Sequence, residues 1–140
     1  MTVSEAEIEG GCNCGSVRYR VAGAPLAVAV CHCSNCRRQS GSAFSVNIVV
    51  RADAMELTGE LTTYEDRDTE SGAPVLRQFC ATCSSPIQSL SAASPKIAIV
   101  KAGTADDPAR FTPAVHVWTA SALPWVEIPA GLPQFERNAP

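Results

Sequence analysis

Seven cysteines are the residues of this 140-residue chain whose spacing points most directly to chemistry. Three of them, Cys31, Cys33 and Cys36, fall within six residues. The other four form two tight pairs, one on either side of that group: Cys12 with Cys14, and Cys80 with Cys83. A structural zinc is closed by four protein ligands, whereas a catalytic zinc keeps three and leaves one position for water or substrate. The division therefore predicts one closed and one open zinc site, with two zinc ions per chain.

Metal binding suits these cysteines better than disulfide bonding does. An odd number of thiols cannot all be used in intrachain bridges. The N-terminus carries acidic residues where a signal peptide needs basic ones, and no apolar span approaches membrane length. We therefore expect a cytoplasmic protein with no membrane partner, in a reducing compartment where close-spaced cysteines are metal ligands or catalytic groups.

The bulk composition is that of one globular domain. The length is near the usual domain size, and we expect a core over about residues 6–130 followed by a short C-terminal tail. The net charge is −3 and the basic residues are scattered. Nucleic-acid binding requires a basic surface, so we expect no nucleic-acid partner.

Short alternating or apolar runs, separated by turns rich in Gly, Pro, Ser and Asp, predict an all-β fold. The predicted strands cover residues 17–21, 26–30, 44–50, 61–64, 75–79, 87–90, 97–101, 114–118 and 126–128. Residues 10–15 are predicted to be a glycine-framed turn, and residues 34–39 a short helical turn capped by Ser34 or Asn35. The acidic segment 65–70 is predicted to be a solvated hairpin tip.

The three-cysteine group has alternative interpretations that the sequence leaves open. It could be a second closed zinc site completed by His32 or His116, or the seven thiols could be divided differently between metals. We expect the His32 side chain to point away from the metal, and His116 to be structural. Arg37 and Arg38 follow the group directly and could bind substrate carboxylates, although at least one of them could be an exposed helix residue.

These motifs resemble those of the glutathione-dependent formaldehyde-activating enzymes, a family grouped with centromere protein V. The matching blocks run nearly the whole chain: residues 11–15, 31–41, 79–83 with Pro86, 102–104, 116–119 with Ser121, and 124–126. The resemblance implies a β-tent fold with two zinc sites. It also implies carbon–sulfur bond formation and cleavage, with S-(hydroxymethyl)glutathione as the type case. Ala81 and Ser84 depart from the proline and glycine common in the family.

The expected function is a zinc-dependent carbon–sulfur lyase or synthase acting on thiol–aldehyde adducts. Its partners would be a thiol such as glutathione and a small carbonyl compound. Arg37 and Arg38 would orient the carboxylates, and Ser40 would donate a hydrogen bond to a developing alkoxide.

Aromatic residues could add walls to such a site. Phe44 is expected in the core, while Trp118 and Trp125 could belong to either a pocket or the core. Two other classes of function stay open. One is a non-catalytic, zinc-stabilised binding module, and the other is a redox-responsive zinc–thiolate protein.

Overall fold

The computed structural model describes residues 7–139, which form two β-sheets. The smaller sheet has three antiparallel strands in the order β1-β2-β5. Its strands are β1 (Glu7–Gly11), β2 (Arg18–Ala22) and β5 (Met55–Thr58). In β2 the buried Tyr19 and Val21 alternate with exposed residues, the period-two pattern that places one face of a strand on a core.

The larger sheet has seven strands in the order β10-β3-β4-β9-β8-β7-β6. Its strands are β3 (Ala27–Cys31), β4 (Ser45–Arg51), β6 (Leu61–Asp66), β7 (Val75–Cys80), β8 (Pro86–Ser91), β9 (Ile97–Lys101) and β10 (Val115–Val117). All its pairings are antiparallel except that of β10 with β3, which is parallel. Within residues 7–139 there is one α-helix, α1 (Ser34–Ser40), which connects β3 to β4 and packs against β4.

Apolar residues of both sheets form one core, which includes Ile8 and Val21 of the smaller sheet. Strand β4 shows that the two faces of the larger sheet differ in polarity. Its Ile48 and Val50 belong to that core, whereas the alternate residue Asn47 lies on the opposite face and is also buried. The mostly-β, single-domain architecture confirms the predicted fold class.

The predicted strands mostly agree with the observed ones to within one or two residues, but the strand assignments differ at three places. Gly10 and Gly11 belong to β1 and are not in a turn. A Cβ atom at Gly10 would lie 2.3 Å from the carbonyl oxygen of Thr104, so this glycine permits a close approach of two segments. Strand β5 was not predicted, and residues 126–128 are not a strand.

The acidic segment 65–70 is also not a fully solvated hairpin tip. Asp66 ends β6 and is 5% exposed, and its Oδ2 atom lies 2.8 Å from Nε of the equally buried Arg77. A buried carboxylate requires such a partner because desolvating an unpaired charge is costly. Asp66 also accepts a hydrogen bond from the Asn35 side chain, which joins the start of α1 to β6 and β7.

The segment after residue 130 lies against β10. The amide of Phe135 donates to the carbonyl of His116, and the amide of His116 donates to the carbonyl of Pro133. In the part of the chain that the structure describes, no helix is both long and apolar enough to cross a bilayer.

Candidate metal centres

The first candidate centre joins the two sheets. It contains four cysteines whose sulfur atoms all lie within 4.8 Å of one another: Cys12, Cys14, Cys80 and Cys83. The Sγ atom of Cys14 is 3.5 Å from that of Cys12 and 3.8 Å from that of Cys80. The first pair follows β1 in the smaller sheet and the second lies at the end of β7 in the larger sheet. The structure therefore brings together the four thiols that the spacing grouped.

Two turns present these thiols. The loop after β1 turns at Gly15, whose φ of +83° is a conformation that favours glycine. In the second turn the amides of Thr82 and Cys83 point at the Cys80 sulfur, at 3.3 and 3.4 Å. Ser84 adopts a φ of +69°, a left-handed conformation that serine adopts at some cost.

Serine hydroxyls surround this cluster, and the sequence analysis did not single them out. Ser16 Oγ lies 3.1 Å from the Cys14 sulfur and 3.3 Å from the Cys80 sulfur, and Ser85 Oγ lies 3.2 Å from the Cys83 sulfur. The Ser85 hydroxyl lowers the pKa of Cys83 to about 7. Burial opposes ionisation of Cys12, but hydrogen bonds led by the Val17 amide outweigh it and lower its pKa to about 5. At Cys14 the Ser16 hydroxyl favours ionisation, but the neighbouring Cys12 thiol and burial outweigh it and raise the pKa. The surroundings thus favour the thiolate form that binds metals at Cys12 and Cys83.

The second candidate centre is local in sequence. It consists of Cys31, Cys33 and Cys36, with sulfur atoms within 4.8 Å of one another. Cys31 ends β3, Cys33 is the N-cap of α1, and Cys36 lies in its first turn. The Cys33 sulfur accepts a hydrogen bond from the Cys36 amide at 3.3 Å, so the cap is this cysteine and not Ser34 or Asn35 as predicted.

Hydrogen bonds within this cluster separate the acidities of its thiols. Those from Cys31 and Cys33 lower the pKa of Cys36 to about 2, and the charges of Lys101 and Arg77 contribute in the same direction. The same interactions with Cys33 and Cys36 raise the pKa of Cys31. The cluster is therefore an environment in which a thiolate is stabilised by neighbouring donors and cations.

The histidines do not complete the second cluster. His32 Nε2 lies 2.9 Å from His116 Nδ1, and both rings are buried. In residues 7–139 neither ring joins the cysteines as a possible ligand. The geometry agrees with a His32 side chain that points away from the metal. Phe44 contacts the His32 ring, with centroids 5.7 Å apart, and is half-buried instead of lying in the main core as predicted.

A pocket of about 440 Å³ lies beside α1, and its lining includes Arg37, the residue after Cys36. It is lined by Arg37, Arg38, Gly41, Ser42, Ala43, Leu123 and Trp125. Trp125 is 70% exposed, so it belongs to the pocket and not to the core. Trp118 lies elsewhere, with its indole N–H donating to the Asn138 side chain.

Of the three predicted substrate contacts, two line the pocket and one does not. The buried Nε atom of Arg37 has no hydrogen-bond partner within residues 7–139. The Ser40 hydroxyl donates to the carbonyl of Arg37 at 3.3 Å. A hydrogen bond from Ser40 to a substrate would require that helical contact to break, and this role stays a prediction.

The donor sets of both clusters fit zinc. Sulfur atoms that share one tetrahedral zinc, each about 2.3 Å from it, lie about 3.8 Å apart, close to the separations of 3.5 and 3.8 Å in the first cluster. The first cluster could supply a complete set of four sulfur ligands. The second could supply three, with no fourth Cys, His, Asp or Glu ligand among the described residues.

Comparisons with known proteins agree with this arrangement. Residues 7–121 match the family described as glutathione-dependent formaldehyde-activating enzyme. A protein of Halomonas elongata whose name carries the same family description is 31% identical over 126 residues, which cover 86% of this chain and 80% of that protein. A crystal structure of a Rhodobacter sphaeroides protein is similar in fold, with 20% identity, a TM-score of 0.55, and coverage of 91% of this chain and 98% of the other. The chain therefore belongs to the glutathione-dependent formaldehyde-activating enzyme family.

Proposed function

We propose that this protein is a zinc-dependent carbon–sulfur lyase or synthase that forms or cleaves the adduct of glutathione and formaldehyde. The observation that carries the proposal is the three-thiol cluster, followed directly in α1 by two arginines that line a pocket and have no ion-pair partner within residues 7–139. The family membership supports the same substrates. The cysteines would be thiols in a reducing compartment, which is the basis for placing the protein in the cytoplasm.

The two clusters would have different tasks. Cys12, Cys14, Cys80 and Cys83 would hold a structural zinc, and Cys31, Cys33 and Cys36 a second zinc with one position open. Zinc at the second cluster would supply a Lewis acid that favours the thiolate form of a bound thiol at neutral pH. What the protein itself adds is orientation of the substrate.

The pocket beside α1 suits glutathione in charge. Glutathione carries two carboxylates, and guanidinium groups bind carboxylates through two parallel hydrogen bonds. Arg37 and Arg38 present two such groups, while Leu123 and Trp125 provide an apolar wall.

The reaction needs no redox partner. In the synthetic direction the sulfur of glutathione forms a bond to the carbonyl carbon of formaldehyde, and the thiol proton is transferred overall to the oxygen. In the reverse direction the carbon–sulfur bond breaks and the proton returns to sulfur. Orientation of the thiol near the electrophile would account for much of the acceleration, since well-positioned reactants gain large effective concentrations.

The test is the rate at which glutathione and formaldehyde approach equilibrium with their adduct, followed by NMR with the purified, zinc-loaded protein. We expect a rate above that in buffer for the wild type and a background rate for Cys36→Ser. Replacing Arg37 and Arg38 together by Gln should raise the KM for glutathione by about a hundredfold or more, because each of the two charge-assisted hydrogen bonds lost contributes about 1.5–3 kcal/mol.

Arg51→Gln is the matched control, because this exposed arginine pairs with Asp53 away from the pocket. Its kinetics should equal those of the wild type. A wild type that holds two zinc ions and shows only the background rate would contradict the lyase proposal and favour the zinc-stabilised binding module. Loss of zinc under mild peroxide, with reversible thiol oxidation and no turnover, would favour the redox-responsive alternative.

A further inference from the structure

The outer face of the seven-stranded sheet carries a row of buried polar residues opposite the apolar core. Strand register places Cys31 opposite Ser45, and Asn47 opposite Lys101. Ser45 and Asn47 are alternate residues of β4, so all four side chains share one face. Each of these residues is at most 8% exposed. The three-thiol cluster therefore borders a buried polar layer that the sequence analysis did not predict.

Lys101 is the unexplained member of this layer. Its ammonium group donates hydrogen bonds to Ser45 Oγ at 3.0 Å and to Asn47 Oδ1 at 3.4 Å. Among the ion pairs of residues 7–139 none involves Lys101. Buried lysines are rare unless a counter-charge is present, because desolvating an ammonium group is costly. An ammonium group at this position would be stabilised by an anion, and no carboxylate among the described residues forms an ion pair with it.

The thiols of the second cluster are suitable anions. Burial lowers the pKa of Lys101, and the charge of Arg77 acts in the same direction. The charges of Cys36, Cys31 and Cys33 oppose that shift and favour the ammonium form. The charge of Arg77 also favours the Cys36 thiolate. Its charge, however, is already paired with Asp66 at 2.8 Å. Lys101 is therefore the neighbouring cation that has no carboxylate partner and can offset the charge of the three thiolates.

The charges of the proposed metal site explain why one such cation is needed. Three thiolates and one divalent zinc ion carry a net charge of −1, and that charge would be buried. One lysine neutralises it, whereas an uncompensated buried anion would weaken metal binding. The groups around a metal's direct ligands commonly change its affinity in this way.

We propose that Lys101 is a positioning residue for the second metal, held by Ser45 and Asn47 so that its charge offsets the negative charge of the Cys31–Cys33–Cys36 site. This inference rests on the proposed zinc site. It goes beyond it by assigning a determinant of metal affinity to a residue that contributes no ligand and lies 65 positions from Cys36 in the sequence.

The experiment measures zinc affinity at each site by chelator competition in Lys101→Met and Lys101→Gln. Both variants lack the charge, but glutamine keeps a donor for Ser45 and Asn47. We expect both to weaken the second site by about tenfold to a hundredfold. The four-thiol site in the same chain is the internal reference and should change by less than about twofold, because it borders none of these residues. Lys96→Met, at an exposed lysine, should leave both affinities unchanged.

Several outcomes would overturn the inference. An unchanged second site in both variants would show that the charge does not contribute. Loss of affinity in the methionine variant alone would assign the effect to hydrogen bonding. If far-UV circular dichroism showed both variants to be unfolded, and metal analysis showed the reference site to be empty as well, the role of Lys101 would be in the stability of the fold and not in metal affinity. A wild type that binds one zinc would instead refute the proposed second site itself.

Discussion

The two cysteine clusters use the same side chain but connect different parts of the molecule. In the four-thiol cluster Cys14 and Cys80 are 66 residues apart, and their sulfur atoms lie 3.8 Å from each other. The cluster thereby joins the loop after β1 in the smaller sheet to the end of β7 in the larger one. The three-thiol cluster spans only the six residues from Cys31 to Cys36. It joins β3 to the helix that directly follows.

The groups that surround the two clusters also differ. Hydroxyl groups and backbone amides surround the first cluster near the surface. The second borders the buried cations Arg77 and Lys101, and the residues that follow it, Arg37 and Arg38, line a pocket. A metal that closes a long loop stabilises the fold by restricting the unfolded chain, whereas one within a single turn restricts little. The comparison teaches that the first cluster is suited to stability, and that the second is the one free to serve chemistry.

The largest expected effect follows from breaking the long-range cluster. Cys80→Ser should remove a metal link whose loop-closure contribution is about 4 kcal/mol by the chain-entropy model, in addition to the metal-binding energy itself. Small domains have only about 5–15 kcal/mol of stability. We expect the cooperative thermal transition, measured by circular dichroism, to disappear. A variant that melts within a few degrees of the wild type would show that this cluster does not hold the sheets together.

A smaller effect is expected from the buried charges beside the second cluster. Asp66→Asn should lower the free energy of unfolding by about 4 kcal/mol, because it leaves the charge of Arg77 buried without its partner. Asp53→Asn is the matched control, since its ion pair with Arg51 is exposed, and it should change stability by less than about 1 kcal/mol. Urea unfolding of both variants measures the difference. Equal midpoints would mean that the thiolates, not Asp66, satisfy Arg77.

The sequence sufficed to predict features that depend on local pattern. Alternation in β2 and the apolar run of β3 predicted strands because a strand buries one or both faces in a regular way. The grouping of the cysteines followed from metal-ligand spacing. The close approach at Gly10 and the burial of Asp66 could not be predicted, because each depends on a partner distant in sequence. Lys101 looked like the polar end of a strand, and only the strand register places it with Ser45, Asn47 and the thiols.

Gly10 tests how closely the smaller sheet must fit against the segment that follows β9. In Gly10→Ala the new Cβ atom would lie 2.3 Å from both the Thr104 carbonyl oxygen and the Tyr19 hydroxyl. We expect a loss of about 3 kcal/mol, at the upper end for overpacked sites. The control is Gly103→Ala, where a Cβ would meet no atom within 4 Å. A comparison of urea midpoints should separate the two, and a tolerated alanine at position 10 would show that this junction can shift.

The smallest effect on stability is expected from Cys36→Ser, although this variant should lose the metal of the three-thiol cluster entirely. Cys36→Ser removes one ligand of the local cluster, so metal analysis should give one zinc per chain where the wild type has two. The chain-entropy model gives a loop this short a contribution of at most about 2 kcal/mol, and the cooperative thermal transition should persist. A variant that loses both metals, or unfolds as Cys80→Ser is expected to, would show that the clusters depend on each other. Retention of two metals would show that Cys36 is not a ligand, so metal count and unfolding transition together decide whether the clusters have separate tasks.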